Sequence, residues 1–144
     1  MSDTVHVVCT GCGAANRVPH ARLADNPSCG RCHEPLFDGH PANLNEQAFE
    51  GQLARSDLPV LVDFWADWCA PCRVMAPACE AAAGELEPEM RVIKVDTERA
   101  QTAAGRLGIR SIPTLMLFRN GQEIARHAGA IGKDQIVSWA RAHA

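Results

Sequence analysis

Three Cys-x-x-Cys pairs constrain this chain more than any other feature: Cys9 and Cys12 in CTGC, Cys29 and Cys32 in CGRC, and Cys69 and Cys72 in WADWCAPCRVMAP. The first two fall within residues 1–38, a stretch rich in Cys, Gly, Asn, Pro and His in which only VHVV (Val5 to Val8) reads as a strand. About 40 residues cannot bury enough apolar surface to fold alone, so this segment needs a metal or disulfides. The third pair lies between an apolar run and a helical pattern, which is a different physical setting.

Cys9 and Cys12, sixteen intervening residues, then Cys29 and Cys32 is a four-thiolate zinc spacing. Two residues between thiolates let one tight turn place both sulfurs on a single ion at about 2.3 Å. Gly11, Gly13 and Gly30 are read as easing those turns, and metal binding supplies the folding free energy that the segment lacks. Two redox disulfides, or iron at the same geometry, are the other readings of these residues. His6, His20 and His33 offer alternative ligands that four well-spaced cysteines make unnecessary. A ribbon of this kind can also bind nucleic acid. Here residues 1–38 carry three arginines (Arg17, Arg22, Arg31) against four acids (Asp3, Asp25, Glu34, Asp38), which argues against that partner.

DGHPANLN (Asp38 to Asn45) reads as a linker, broken by Gly39 and Pro41. From Asn45 the pattern becomes regular. Asn45 caps a helix carrying Phe49 and Leu53, four apart. PVLVDFWA (Pro59 to Ala66) is an apolar run holding one acid, as in a strand covered on both faces. A helix over residues 70–87 contains Pro77 as a kink, and RVIKVD (Arg91 to Asp96) is a second buried strand. Thr97 is expected to cap a third helix that ends at Gly108. PTLMLFR, then Asn120-Gly121, then QEIARHAG predicts a hairpin, and GKDQIVSWARAHA a final helix turned inward at Ile136, Val137, Trp139 and Ala140. Helices alternating with strands predict an α/β fold, a central mixed sheet with an antiparallel edge hairpin and helices on both sides. The expected division is a zinc-binding domain over 1–38, a linker over 39–44 and a second domain over 45–144.

Cys69 and Cys72 sit where the buried strand passes into a helix. Unpaired N–H groups at a helix start favour a thiolate at Cys69. Pro71 fixes φ in the first turn. Cys72, one turn inward, can attack whatever disulfide Cys69 forms. Cys79 lies seven residues beyond, about 10.5 Å along a helix, too far for a disulfide, and reads as a small buried hydrophobe. The acid of the buried strand, Asp63, has Val60, Leu61, Val62, Phe64 and Trp65 around it, so it is expected to be buried with a functional pKa. Trp65 itself reads as core.

Seven cysteines, with neither a positively charged leader nor an apolar stretch of about 18 residues, lead to the expectation of a cytoplasmic protein without a membrane partner. The net charge of -3 and the absence of a basic tail exclude a general polyanion binder.

VDFWADWCAPC, with Pro77 five residues on, then KVD, IRSIPTLMLF and NG, resembles the thioredoxin family along nearly all of residues 44–144. The N-terminal four-cysteine segment resembles that of the zinc-bearing second type of bacterial thioredoxin. The resemblance implies the thioredoxin fold and a protein-disulfide reductase. Cys69 would be the attacking thiol, Cys72 the resolving thiol, Asp63 the buried acid behind Cys72 and Lys94 its neighbour. Pro113 would be a cis-proline facing the site, with the backbone of Ile112 pairing with substrate, and Trp68 and Gly129 would belong to the docking surface. It also implies oxidised protein substrates, recycling by an NADPH-dependent flavin reductase (thioredoxin reductase), one zinc per chain, no bound organic cofactor and a working monomer. Ala70 departs from the family's usual glycine, which leaves the reduction potential open. A second reading makes the ribbon a partner-recruiting or oxidant-sensing module on a thioredoxin-fold body.

Overall fold

A computed structural model describes residues 3–144. The body is a five-stranded sheet of order β3-β5-β4-β6-β7, in which β3 (Ala42–Asn43), β5 (Arg91–Asp96) and β4 (Val60–Trp65) run parallel, while β6 (Thr114–Arg119) and β7 (Gln122–Ala128) continue it antiparallel. Helices α1 (Glu46–Arg55), α2 (Ala70–Leu86), α3 (Gln101–Arg106) and α4 (Lys133–His143) cover it. Side chains of a strand alternate between faces, and the core follows that rule. Val60, Val62 and Phe64 of β4 pack with Phe49 and Leu53 of α1 and Ala103 of α3. Leu61 packs on the opposite face with Met75, Cys79 and Ala82 of α2 and Ile136 of α4. Asp63 and Trp65 share the parity of Leu61, so the acid is carried into the α2 side of the sheet and is 2 % exposed. In the ladder Asp63 is flanked by Lys94 on β5 and Leu115 on β6.

Local chemistry explains most boundaries. The Asn45 side chain accepts from the Ala48 N–H at the start of α1. Asn120 (φ 53°) and Gly121 (φ 77°) form the tight turn between β6 and β7. Three expectations need correction. Thr97 is not a cap: its hydroxyl donates to the Trp65 carbonyl, and α3 begins only after Ala100. The supposed linker supplies the edge strand β3, paired to β5 at Ala42–Ile93 and Asn43–Lys94. Two residues carry no periodicity, so pattern reading passes over such a strand. Trp139 is half-buried, outside the fully covered set of Ile136, Val137 and Ala140.

The N-terminal segment contains a second strand that the pattern missed. β1 (Thr4–Val8) pairs antiparallel with β2 (Ala15–Pro19), mostly exposed and hence without an apolar signature. This ribbon sits at the end of the sheet where β4 and β5 begin. Val7, Val18, Leu23 and Leu36 close around Leu58, contributed by the body. Arg91, 2 % exposed, is the central anchor. It donates to the carbonyls of Leu36 (2.8 Å) and Val8 (2.9 Å), lies 3.4 Å from Glu87 Oε2, and stacks 4.5 Å from the centroid of the Phe37 ring. Gln52 adds a bond to the Val8 carbonyl, Arg55 to that of Gly13, and His6 pairs with Asp57. Burial raises the pKa of Glu87, against the opposing pull of Arg91.

Removing Arg91 strands the Glu87 charge and the Leu36 carbonyl in a dry contact. Arg91→Leu is therefore expected to lower unfolding stability by about 3–5 kcal/mol in urea titrations. Arg91→Leu with Glu87→Leu should recover part of that loss, because the isolated charge is gone.

Candidate active and metal sites

Strand β4 ends at Trp65, and α2 begins five residues later at Ala70, with Cys69 as its N-cap. The Cys69 sulfur accepts the Cys72 N–H at 3.2 Å, so the helix start presents a backbone donor to that sulfur. A disulfide joins Cys69 and Cys72, whose Cα atoms are 5.3 Å apart. Both are almost covered, at 3 % and 4 % exposed, so the pair is less open in its oxidised form than its helix-end position implied. Pro71 lies in the first turn, and Pro77 lies within a helix that continues to Leu86.

The other predicted residues gather around this pair. The Ile112–Pro113 peptide is cis, and the Ile112 carbonyl lies 3.5 Å from the Cys69 sulfur. Gly129, at φ 103°, donates from its N–H to the Pro113 carbonyl at 2.9 Å, which brings the β7–α4 loop beside the site. Trp68 is 67 % exposed. Its indole N–H is held by Glu98 at 2.7 Å, a partner that the sequence reading missed. Arg73, also missed, folds back to the Asp67 carbonyl at 2.5 Å. Lys94 points its ammonium over the Trp65 ring, 4.6 Å from the centroid, and its charge acts on Asp63 without an ion pair. Burial pushes the Asp63 carboxyl up to about 6, while Lys94 and the Cys79 thiol pull it down. Asp63 Oδ1 has no hydrogen-bond partner.

The ribbon brings Cys9, Cys12, Cys29 and Cys32 together, with all four sulfurs within 4.8 Å of one another. Sulfur separations of 3.6 Å occur between Cys9 and Cys32 and between Cys12 and Cys29. A tetrahedral ion with bonds of about 2.3 Å needs an edge of about 3.8 Å, so the cluster fits zinc. The two knuckles are built alike. Gly11 N–H points at the Cys9 sulfur and Arg31 N–H at the Cys29 sulfur, while Gly13 N–H closes on Cys9 O and His33 N–H on Cys29 O. Backbone N–H groups of Cys32 and Arg31 lower the pKa of the Cys29 thiol, while, against the pull of the Glu34 N–H, burial and the neighbouring thiols raise that of Cys32. Of the three glycines thought to ease these turns, only Gly13 (φ 80°) takes a left-handed conformation, and His33 (φ 67°) holds the equivalent position in the second knuckle. His33 is thus a turn residue, not a ligand.

Residues 40–142 match the family model described as Thioredoxin. This chain belongs to the thioredoxin family. Residues 8–34 match a second model, Thioredoxin 2, N-terminal, a zinc-ribbon family. Thioredoxin C-3 of Corynebacterium nephridii is 44% identical over 133 residues, covering 92% of this chain and 91% of that one. The thioredoxin of Rickettsia bellii is 41% identical over 98 residues, 68% of this chain and 93% of its own. Among solved structures, a point mutant of the thioredoxin from Halobacterium salinarum superposes with a TM-score of 0.66 at 28% identity, covering 74% of this chain and 93% of that one. The family is one of thiol-disulfide oxidoreductases, and dithiol–disulfide exchange is the chemistry to which this site belongs. Among the described residues, no helix is long and apolar enough to cross a membrane.

The raised pKa of Asp63 fixes the sign of one pH effect. Between about 3.9, the unfolded value, and about 6, the native state keeps a proton that the unfolded state has released. Stability conferred by the protonated form is complete below that window and lost as pH rises through it. Above both values, burial of the charge costs on the order of 3 kcal/mol. Asp63→Ala should therefore stabilise the protein at about pH 8 relative to its effect at about pH 3, as read from unfolding curves of both proteins at each pH. Equal destabilisation at the two pH values would mean that folding leaves the Asp63 pKa unshifted.

Proposed function

We propose that this protein is a protein-disulfide reductase in which Cys69 attacks, Cys72 resolves and Asp63 accepts the proton of Cys72. The observation that carries the reading is the Cys69 sulfur at the N-terminus of α2, held by the Cys72 N–H and adjacent to the Ile112 carbonyl. A helix start favours the thiolate, and the edge of the chain at Ile112, Pro113 and Gly129, with exposed Trp68 opposite, offers backbone and apolar surface to an extended substrate segment. The Cys69 thiolate displaces one sulfur of the substrate disulfide, which leaves as a thiolate and takes a proton. Cys72, losing its proton through a water to Asp63, then attacks the Cys69 sulfur of the mixed disulfide and releases the second substrate thiol. Two electrons and two protons pass to the substrate, and the Cys69–Cys72 disulfide remains. The unpartnered Oδ1 of Asp63 supports its part as acceptor. Lys94 holds the carboxylate within its range by charge.

The disulfide must then be reduced again, and the proposed donor is an NADPH-dependent thioredoxin reductase. We assign one zinc per chain to Cys9, Cys12, Cys29 and Cys32, a cytoplasmic location and a working monomer. Residues 1–38 and 45–144 remain our two units, with 39–44 between them joining the second through β3. The ribbon, anchored at the far end of β4 and β5 from the disulfide, serves as a fixed structural unit and takes no part in the exchange.

The test begins with reduction of a model protein disulfide by dithiothreitol, with and without the protein; no acceleration would leave the binding-module reading in place. Cys72→Ser should then trap mixed disulfides with protein targets, and Cys69→Ser almost none, on a non-reducing gel. Equal trapping by the two variants would reverse or void the assigned roles. Metal analysis of protein purified without chelator should give one zinc per chain. Because the Arg91 contacts depend on ribbon carbonyls, chelation should also lower the melting temperature of the body, which is expected to stay folded on its own core.

A further inference from the structure

The two halves of the metal site are held by different parts of the chain. The body grips the first knuckle on both sides. Just before Cys9, the Val8 carbonyl accepts from Gln52 Nε2 at 3.0 Å and from Arg91 Nη2 at 2.9 Å. Just after Cys12, the Gly13 carbonyl accepts from Arg55 Nη2 at 2.7 Å. Gln52 is 1 % exposed, so one of these donors is itself locked in the core. The second knuckle has no such grip. Its neck is closed where the Leu36 N–H donates to the Pro27 carbonyl and Arg91 donates to the Leu36 carbonyl. Beyond that neck, among the described residues, 28–35 make no hydrogen bond or ion pair to residues 39–144. Apart from the facing sulfurs, the hydrogen bonds that reach the second knuckle from outside come from one side chain, Asn16 on β2. Its Oδ1 accepts the Gly30 N–H at 2.8 Å, and its Nδ2 points at the Cys29 sulfur at 3.5 Å. The same Nδ2 donates to the Ala14 carbonyl at 3.2 Å and lies 3.5 Å from the Val7 carbonyl, which ties it to the ribbon strands.

We infer that Asn16 is the positioning residue of the metal site: it fastens the Cys29–Cys32 knuckle against a Cys9–Cys12 knuckle that the body keeps in shape, so the second knuckle is the one that opens when the metal is removed. This rests on the reading that the four cysteines hold zinc. The two ends of the Asn16 amide act on different atoms. Gly30 directly follows Cys29, so the bond to its N–H fixes where that turn stands relative to β2. The Nδ2 donor joins the Arg31 N–H, 3.4 Å away, at the Cys29 sulfur. Four thiolates on a dication leave a net negative charge, which N–H donors to sulfur stabilise. Outer partners of this kind also orient the ligands. Gln52 and Arg55 bind carbonyls that face them with or without a metal, so they contribute to both states alike. Asn16 makes its bonds to the second knuckle only when that knuckle is closed, so its contribution appears in the affinity for the metal.

The test uses the full chain, kept reduced so that freed thiols do not pair. Metal analysis of the native protein comes first, and a protein without zinc overturns the zinc assignment and the role of Asn16 with it. In the zinc-loaded protein, amide exchange followed by NMR should find Gly13 and His33 both protected, because their N–H groups close the two knuckles on Cys9 and Cys29. After chelation Gly13 should stay protected while His33 exchanges freely. Loss of protection at both, at neither, or at Gly13 alone overturns the inference. Zinc affinity is then read by competition with a chromogenic chelator. Asn16→Ala should weaken it about 10–100-fold, and should lower the melting temperature of the zinc-loaded protein but not that of the chelated one. A protein that holds zinc but keeps its affinity in Asn16→Ala overturns the role of Asn16 alone. So does a variant whose melting temperature falls equally with and without zinc, the mark of a merely structural brace. Arg17→Ala, at the next and exposed residue of β2, should leave the affinity unchanged; equal weakening by that variant would assign the effect to the strand and overturn the inference. If Asn16→Ala does not fold, the exchange pattern of the native protein decides.

Discussion

Strand β4 is held on both faces and on both edges, and the chemistry of the protein hangs from that confinement. Hydrogen bonds to β5 on one side and β6 on the other fix its register, and two helical layers close over its side chains. A strand so placed cannot slip by one residue without turning Phe64 toward α2 and Asp63 toward α1. The same register that buries Val62 and Phe64 therefore forces a carboxyl into the opposite layer. The end of the strand delivers Cys69 to the start of α2, where backbone N–H groups await a negative charge. Reactive sulfur and buried acid are thus products of one strand, separated by six residues.

The remaining parts of the site come from segments distant in sequence and are placed by the sheet. β6 begins just after the cis Ile112–Pro113 peptide, so its pairing with β4 brings the Ile112 carbonyl to the Cys69 sulfur. β5 brings Lys94 alongside Asp63. The ribbon is attached at the opposite end of the same strands. Arg91, the first residue of β5, holds the two ribbon carbonyls, while Lys94, three residues on, faces the acid. One strand thereby spans the distance between metal cluster and disulfide. The burial of Arg91 is tolerable because Glu87, two carbonyls and the Phe37 ring satisfy it, and all of these but Glu87 are supplied by the ribbon.

What could be read in the sequence was whatever rests on short-range rules. The four-thiolate spacing, the Asn45 cap, the Asn120-Gly121 turn and the apolar run around Asp63 each depend on neighbours a few residues away, and each is present in the structure. The failures share the opposite cause. β3 is too short for a periodic signal and forms only because β5 offers it an edge. β2 is mostly exposed and polar and is a strand because β1 pairs with it. Thr97 looks like a cap by residue type, but the Trp65 carbonyl, 32 residues away, takes its hydroxyl. Glu98 and Arg73 leave no local mark of their roles beside the disulfide.

By itself the sequence determined which atoms are available: two thiols at a strand-to-helix junction, four more at a metal spacing, and one acid within an apolar run. Spacing and hydrophobic pattern are local quantities, and they suffice for that. Only the tertiary structure decided what those atoms face. It buried Asp63 on the α2 side of the sheet beside Lys94, and it tied the ribbon to the body through Arg91. The physical reason is that burial, and with it the strength of every charge and hydrogen bond, is a property of packed layers. No residue carries it until strands and helices far apart in the chain have closed around it.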